Sequence, residues 1–187
     1  YTSNMIEKIK FSDGSIMDIS SGVPLSGTAD DDYIYGTVSS DVLSGLSGND
    51  NIYGNTGDDV LIGGDGNDYM DGGLGVDTAS YAGTSAGVTV SLLTTVAQNT
   101  VGAGSDLLSN FENIFGSAFA DTLKGNSGAN VINGGSGNDV LLGKGGTDTL
   151  YGGLGADSFK FDVSAVGNID TVKDFKLAEA DKLDIRD

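Results

Sequence analysis

Aspartate recurs at a nine-residue spacing in two stretches of the chain. Residues 27–80 divide without a gap into six nonapeptides, and residues 116–160 divide into five more. The sixth position is Asp in ten of these eleven units and Asn in the other. These in-phase residues are Asp32, Asp41, Asp50, Asp59, Asp68, Asp77, Asp121, Asn130, Asp139, Asp148 and Asp157. Because carboxylate oxygens bind hard cations, the pattern predicts a row of metal sites.

Residue types that are missing narrow the chemistry further. Neither Cys nor His occurs in the 187 residues, which excludes disulfides, zinc sites of the Cys or His type and a Ser-His-Asp triad. The net charge of −18 disfavours nucleic acid and anionic membrane surfaces as partners. No apolar run approaches the roughly 20 residues of a membrane-spanning helix. Paired carboxylates can hydrolyse glycosides, but the repeat accounts for every in-phase Asp, so we expect no enzymatic activity.

Calcium is the cation that suits this composition. It accepts about six to eight oxygen ligands in flexible geometry and combines carboxylates with backbone carbonyls, which Gly-rich turns expose. Magnesium requires a tighter octahedron and keeps bound water. Transition metals prefer the His and Cys ligands that the chain lacks.

The repeat also predicts the fold. Positions 1–6 of each unit are rich in Gly, Asn and Asp, which build turns, and position 8 is apolar in all eleven units. A turn followed by a three-residue strand cannot enclose a core alone, so two units would form one 18-residue coil with a strand on each side. Stacked coils give an all-β fold, a parallel β-roll (a right-handed β-solenoid), with the position-8 side chains between its two sheets.

We divide the chain into five segments on this basis. Residues 1–26 are predicted to form an N-terminal hairpin cap and a join at 21–26. Residues 27–80 and 116–160 are the two arrays, and the insert at 81–115 is expected to continue the solenoid irregularly, with one helical turn as the alternative. Residues 161–187 are expected to cap the C-terminal end. The arrays then form either one roll or two rolls joined by the insert.

The nonapeptides resemble the GGxGxDxUx repeat of RTX (repeats-in-toxin) proteins, a calcium-binding family. The resemblance implies that each ion lies between turns two units apart, held by both position-6 side chains and by carbonyls of positions 1–4. The implied pairs are Asp32–Asp50, Asp41–Asp59, Asp50–Asp68, Asp59–Asp77, Asp121–Asp139, Asn130–Asp148 and Asp139–Asp157, which is about seven Ca²⁺ sites. The implied carbonyl ligands belong to Gly45, Gly48, Gly54, Gly57, Gly63, Gly72, Gly134, Gly137, Gly143 and Gly152.

Four turns depart from the family pattern. Asn130 contributes no charge, and Asp30 and Ser39 replace the position-4 glycine before Asp32 and Asp41. The turn before Asp121 reads SAFA where the family has glycines. We expect weaker sites at these turns, with Asp30 and Asp31 as possible compensation in the first.

The resemblance also implies a biological role. RTX regions are exported by type I secretion machinery, stay unfolded where calcium is scarce and fold outside the cell. Residues 161–187 resemble the region after the last repeat of large biofilm and host-cell adhesins, so the favoured parent is a secreted or cell-surface adhesin. The alternatives are an accessory module of a secreted protease, lipase or alginate epimerase, or a roll that itself binds polysaccharide. Tyrosines at outward positions such as Tyr35 and Tyr53 would serve that last role, although ordinary strand residues are the simpler interpretation.

Overall fold

The computed structural model describes residues 8–10, 16–18, 24–162 and 168–186, and these form short strands joined by tight turns. Strands β1 (Lys8–Lys10) and β2 (Ile16–Asp18) pair antiparallel in a sheet of their own. The helical structure among the described residues is a 3₁₀ turn at Leu177–Glu179. Accordingly, none of the described residues belongs to a helix with the length and apolarity needed to cross a membrane.

One face of the molecule is an eight-stranded parallel sheet that passes through both arrays without a break. Its strands are β3 (Pro24–Ser26), β5 (Val42–Ser47), β7 (Val60–Asp65), β9 (Thr78–Ser80), β13 (Asn113–Phe115), β15 (Val131–Asn133), β17 (Thr149–Tyr151) and β19 (Thr171–Val172). Since β13, the last strand of the insert, pairs with β9 on one side and with β15 on the other, the two arrays form one roll. The roll begins within the predicted join, because β3 already pairs with β5.

The opposite face consists of two five-stranded sheets. The first contains β4 (Tyr33–Tyr35), β6 (Asn51–Tyr53), β8 (Tyr69–Asp71), β12 (Ser105–Ser109) and β11 (Gln98–Asn99). The second contains β10 (Thr89–Ser91), β14 (Thr122–Lys124), β16 (Val140–Leu142), β18 (Ser158–Asp162) and β20 (Lys182–Arg186). Neighbours are parallel except for β11 and β12.

The insert explains why this face is divided. After β9 the chain forms β10, which pairs with β14, and then turns back through β11 to β12, which pairs with β8. The insert therefore supplies three strands to this face, and the face is divided because β10 belongs to one sheet and β11 and β12 belong to the other. Residues 81–115 contain no helix and remain in register with the roll, with Leu108 opposite Met70.

The core is a single layer of side chains, which the two faces contribute in alternation along the chain, as the repeat predicts. Cα partners in neighbouring coils are 18 residues apart, for example Leu43 and Leu61. Every position-8 residue is buried; these are Ile34, Leu43, Ile52, Leu61, Met70, Ala79, Leu123, Ile132, Leu141, Leu150 and Phe159. The parallel β-roll predicted from the sequence is thus the observed fold.

The C-terminal segment adds a further coil to the end of the roll. Strand β19 pairs with β17, and β20 pairs with β18 over five residues. This coil covers Leu150 and Phe159, whose side chains are fully buried. Its own apolar residues Ile169, Leu177 and Ile185 stay exposed.

A core substitution should therefore destabilise the roll far more than the same substitution in a turn. Leu61→Ala removes a fully buried side chain and should lower the free energy of unfolding by about 2–5 kcal/mol. Leu74→Ala is the matched control, because Leu74 is 72% exposed. Urea unfolding at saturating calcium measures both, and equal losses would contradict the proposed core.

Candidate metal sites

The in-phase residues form two ladders, one along each edge of the roll. In all seven predicted pairs, the backbone N–H of the first residue donates to a side-chain oxygen, Oδ1, of the second. The N···O distances are 2.8–3.0 Å, for example 2.8 Å from Asp32 to Asp50 and 3.0 Å from Asp139 to Asp157. The structure therefore brings together every pair of turns that the resemblance implied.

The second carboxylate oxygen of six in-phase residues has no hydrogen-bond donor. These six buried Oδ2 atoms belong to Asp50, Asp59, Asp68, Asp77, Asp139 and Asp148. The residues are at most 2% exposed, so water does not replace the missing donor at the surface. A buried carboxylate oxygen without a partner is costly, and a bound cation would remove that cost.

Backbone carbonyls lie close to these carboxylates. Each of the seven predicted position-1 glycines points its carbonyl oxygen at the preceding coil. The oxygen lies against the position-1 glycine of that coil, next to the in-phase side chain of the same turn. At Gly54, for example, an added Cβ would meet Asp59 Oδ2 at 2.5 Å and also the carbonyl oxygen of Gly72. The predicted position-4 carbonyls of Gly48, Gly57 and Gly137 likewise face the next coil, at Gly66, Gly75 and Gly155.

This donor set suits calcium. It consists of carboxylate and carbonyl oxygens, which are the ligands that Ca²⁺ takes in proteins. Within the described part of the chain, no three acidic side chains converge on one point. Any site must therefore be completed by backbone carbonyls, which calcium accepts readily.

Burial also changes the protonation of these carboxyl groups. Removal from water raises the pKa of Asp59, Asp68 and Asp148 to about 6 and that of Asp139 to about 7, although a backbone N–H donor from the preceding coil opposes the shift in each case. Desolvation likewise raises the pKa of Asp50. Charge at these positions is therefore unfavourable near neutral pH unless a cation compensates it.

Comparison with known families agrees with this geometry. The model of the RTX calcium-binding nonapeptide repeat matches residues 25–52, 44–79, 110–141 and 124–159, which together make up more than half of the chain. The chain belongs to the RTX family. Comparison with curated proteins finds no match.

The RTX ladders extend beyond the eleven repeats that the sequence identified. Asp170 and Asp181 accept the backbone N–H groups of Asp148 and Asp157 at 3.0 Å, so the C-terminal segment carries two further in-phase carboxylates. Each stands two residues before an apolar strand residue, Val172 or Leu183, as in the repeats. That local pattern is a signal for them, but extra residues between the units break the nine-residue count.

Two acidic residues of the insert also take ladder positions. Residues 101–109 read VGAGSDLLS, a degenerate nonapeptide of the insert with Asp106 at its sixth position. Asp106 accepts the Asp68 N–H at 3.1 Å. Its Oδ2 is occupied by the hydroxyls of Tyr81 and Thr100, each at 3.2 Å. Glu112 accepts the Asp77 N–H at 2.9 Å, a role that sequence spacing did not indicate.

The raised pKa values predict how the calcium-free RTX roll responds to pH. In the folded state the pKa values of these buried groups are about 6–7, above the ordinary value near 3.8 that they have when unfolded. The proton on these groups therefore stabilises the folded state fully below their unfolded pKa near 3.8. This stabilisation is lost as the pH rises through their folded pKa values of about 6–7. In EDTA, we expect more β-structure at pH 5 than at pH 7.5 by circular dichroism. A β-structure content that rises steadily from pH 5 to 7.5 would contradict this.

Proposed function

We propose that this RTX roll is a calcium-dependent folding module of a secreted protein. In this proposal the chain stays unfolded while calcium is scarce, passes through type I secretion machinery and folds outside the cell. The observation that carries the proposal is the set of six buried carboxylate oxygens without donors. A fold with that cost at six of its eleven repeat turns is well suited to require its ligand.

The in-phase carboxylates both oppose folding of the calcium-free chain and provide the ligands for calcium. In-phase carboxylates stack along two edges of a molecule whose net charge is −18, so their mutual repulsion opposes coil stacking. The same side chains, together with the position-1 and position-4 carbonyls, would hold the ions. Bound calcium supplies two positive charges per site and satisfies the buried oxygens. With about seven ions, the formal charge would change from −18 to about −4.

The affinity expected of such a switch is modest. Extracellular calcium modules bind at about 10⁻⁴–10⁻³ M. A site at ten times its Kd adds about 1.4 kcal/mol to the stability of the folded state. Because each coil has one thin row of core residues, several such contributions would decide whether the roll folds.

We assign the parent to the large adhesins because residues 161–187 resemble the region that follows the last repeat in such proteins. The alternative parent is a secreted protease, lipase or alginate epimerase, which would carry its catalytic residues in another domain. The sequence that precedes Tyr1 in the parent separates the two: tandem Ig-like repeats support the adhesin, and a catalytic domain supports the enzyme.

Far-UV circular dichroism during a calcium titration tests the folding switch. EDTA-stripped protein at pH 7.5 should change cooperatively from coil to β-structure near millimolar calcium, and magnesium should not replace calcium. Two matched variants, Asp68→Asn and Asp65→Asn, each remove one carboxylate from the same turn. Asp68 is buried and Asp65 is exposed. We expect the first variant to need several-fold more calcium and the second to behave like the parent chain.

Two outcomes would count against the proposal. A complete β spectrum in EDTA that calcium leaves unchanged would show that the roll folds without its ligand. Equal titration midpoints for Asp68→Asn and Asp65→Asn would show that the ladder carboxylates do not carry the calcium dependence.

One observation favours polysaccharide binding as a second candidate function. The rings of Tyr35 and Tyr53 stack 5.0 Å apart with 7° between their planes, on the outer surface of the first five-stranded sheet. Tyr35 is 56% exposed and Tyr33 beside it is 70% exposed. Such flat aromatic surfaces are suited to packing against sugar rings.

A binding test of the calcium-loaded protein examines this second candidate. Amide NMR shifts should appear around Tyr35 and Tyr53 with a polysaccharide from a panel of neutral and acidic polymers, and Tyr35→Ala should remove them. Tyr151→Ala, on the eight-stranded sheet, is the control and should leave them in place. No shifts across the panel would leave these tyrosines as ordinary strand residues.

A further inference from the structure

The eleven repeat turns fall into two classes according to the conformation of their second residue. In seven turns, which we call open turns, that residue has a positive φ; these are Leu46, Asn55, Gly64, Gly73, Gly135, Lys144 and Gly153, with φ between 71° and 106°. The fourth residue of each open turn is a glycine that also has a positive φ. The other four turns, which we call closed turns, begin at Gly27, Gly36, Gly116 and Gly125 and have a positive φ at neither position.

In closed turns, the second residue donates hydrogen bonds to the in-phase side chain of the same turn. The N–H of the second residue donates to a side-chain oxygen of the sixth, at 2.5 Å from Thr37 to Asp41 and 2.6 Å from Ser117 to Asp121. Thr28–Asp32 and Asn126–Asn130 form the same contact at 2.6 and 2.9 Å. The Thr28, Thr37 and Ser117 hydroxyls donate to the same carboxylates at 2.7–2.9 Å.

The second side chain also holds the closed turn in shape. Its oxygen accepts the N–H of the fourth residue in all four cases, at 2.8–3.2 Å. Turn 125 shows that the fourth residue alone does not decide the class. It has glycine there, Gly128, yet it is closed, with the Gly128 N–H donating to Asn126 at 2.8 Å.

Open turns leave the carboxylate unsatisfied. All six buried Oδ2 atoms without a donor belong to open turns. Among the closed turns, Asp41 also has a buried oxygen without a donor, but it is Oδ1, whereas its Oδ2 is satisfied by Thr37 within the turn. The residues that carry them are at most 2% exposed. The missing donor and the left-handed second residue therefore occur together along both edges of the roll.

We infer that the conformation and hydrogen bonds of the second residue decide whether a turn uses calcium, and that Thr28, Thr37, Ser117 and Asn126 substitute protein donors for an ion. This inference rests on the proposed calcium-binding function and refines it. The ions then belong to the seven open turns, and the carboxylates of Asp32, Asp41 and Asp121 are held by donors of their own turns instead.

The location of the closed turns agrees with this assignment. They are the first two turns of each array, one on each edge, so each calcium-bearing stack begins with turns that need no ion. On one edge, the first array ends at Asp106. The Tyr81 and Thr100 hydroxyls donate to Asp106 Oδ2, the oxygen that has no donor in most open turns. On both edges, each array thus begins with a turn that the protein itself satisfies, and one edge of the first array also ends at such a position.

Native mass spectrometry of the calcium-loaded chain tests the inference, because it counts ions. Ser117→Gly with Phe119→Gly gives turn 116 the open pattern, and we expect this double variant to bind one more ion than the parent chain. Ser117→Thr with Phe119→Gly is the matched control. It keeps a hydroxyl at the second position and should gain none.

A converse variant closes an open turn. Gly64→Thr supplies the hydroxyl that Asp68 lacks. A Cβ at this position would meet the Leu46 carbonyl oxygen while φ stays positive, so we expect the turn to take the closed conformation, in which the backbone N–H at position 64 also donates to Asp68. We therefore expect one ion fewer and a lower calcium concentration at the midpoint of folding. The inference is overturned if the Ser117→Gly double variant gains no ion, if its control gains one too, or if Gly64→Thr keeps the parental count. Should the double variant fail to fold, Gly64→Thr decides alone. A parent chain that binds no calcium would instead refute the proposed function.

Discussion

The roll depends on one contact, the hydrogen bond from the backbone N–H of one in-phase residue to the carboxylate of the next coil. This contact is present at 2.8–3.0 Å in every predicted pair. It aligns the turns on both edges and thereby places the position-8 side chains in one row. The same contact buries the carboxylate, so alignment of the coils and the demand for a counter-charge have a single cause.

The thin core makes this demand decisive. Each unit contributes one buried apolar side chain, such as Leu61 or Leu141, and burial of one such side chain contributes about 1.5–3 kcal/mol. Ordering the nine backbones of a unit costs several times more. A charge penalty that a larger core would tolerate can therefore prevent this one from forming, which is why the acidic edges and the fold cannot be considered separately.

The repeat predicted the coil length, the core residues and the pairs of stacked carboxylates, because all three follow from a nine-residue period. It did not reveal Asp170, Asp181 or Glu112, since the turns before them differ in length from nine-residue units. The four turns at which we expected weaker sites, those of Asp32, Asp41, Asp121 and Asn130, are the four closed turns, but the sequence did not reveal the hydrogen bonds that close them. The missing position-4 glycine is not their common feature, because the closed turn at Gly125 has Gly128 there. What distinguishes the classes is a hydrogen bond within the turn, which residue type at one position does not determine: Asn126 closes its turn and Asn55 does not.

Glu112 shows which quantity the fold holds fixed. The turn before β13 is shorter than a repeat turn: Asn110 lies where the position-1 glycine of the next coil would, against Gly72, and Glu112 follows two residues later. Although the turn is shorter and the residue is a glutamate, Oε2 lies 2.9 Å from the Asp77 backbone nitrogen, at the same hydrogen bond that aspartate accepts in the repeats. The constraint is thus the position of an oxygen relative to the preceding coil, and the nine-residue spacing of aspartates is its usual consequence.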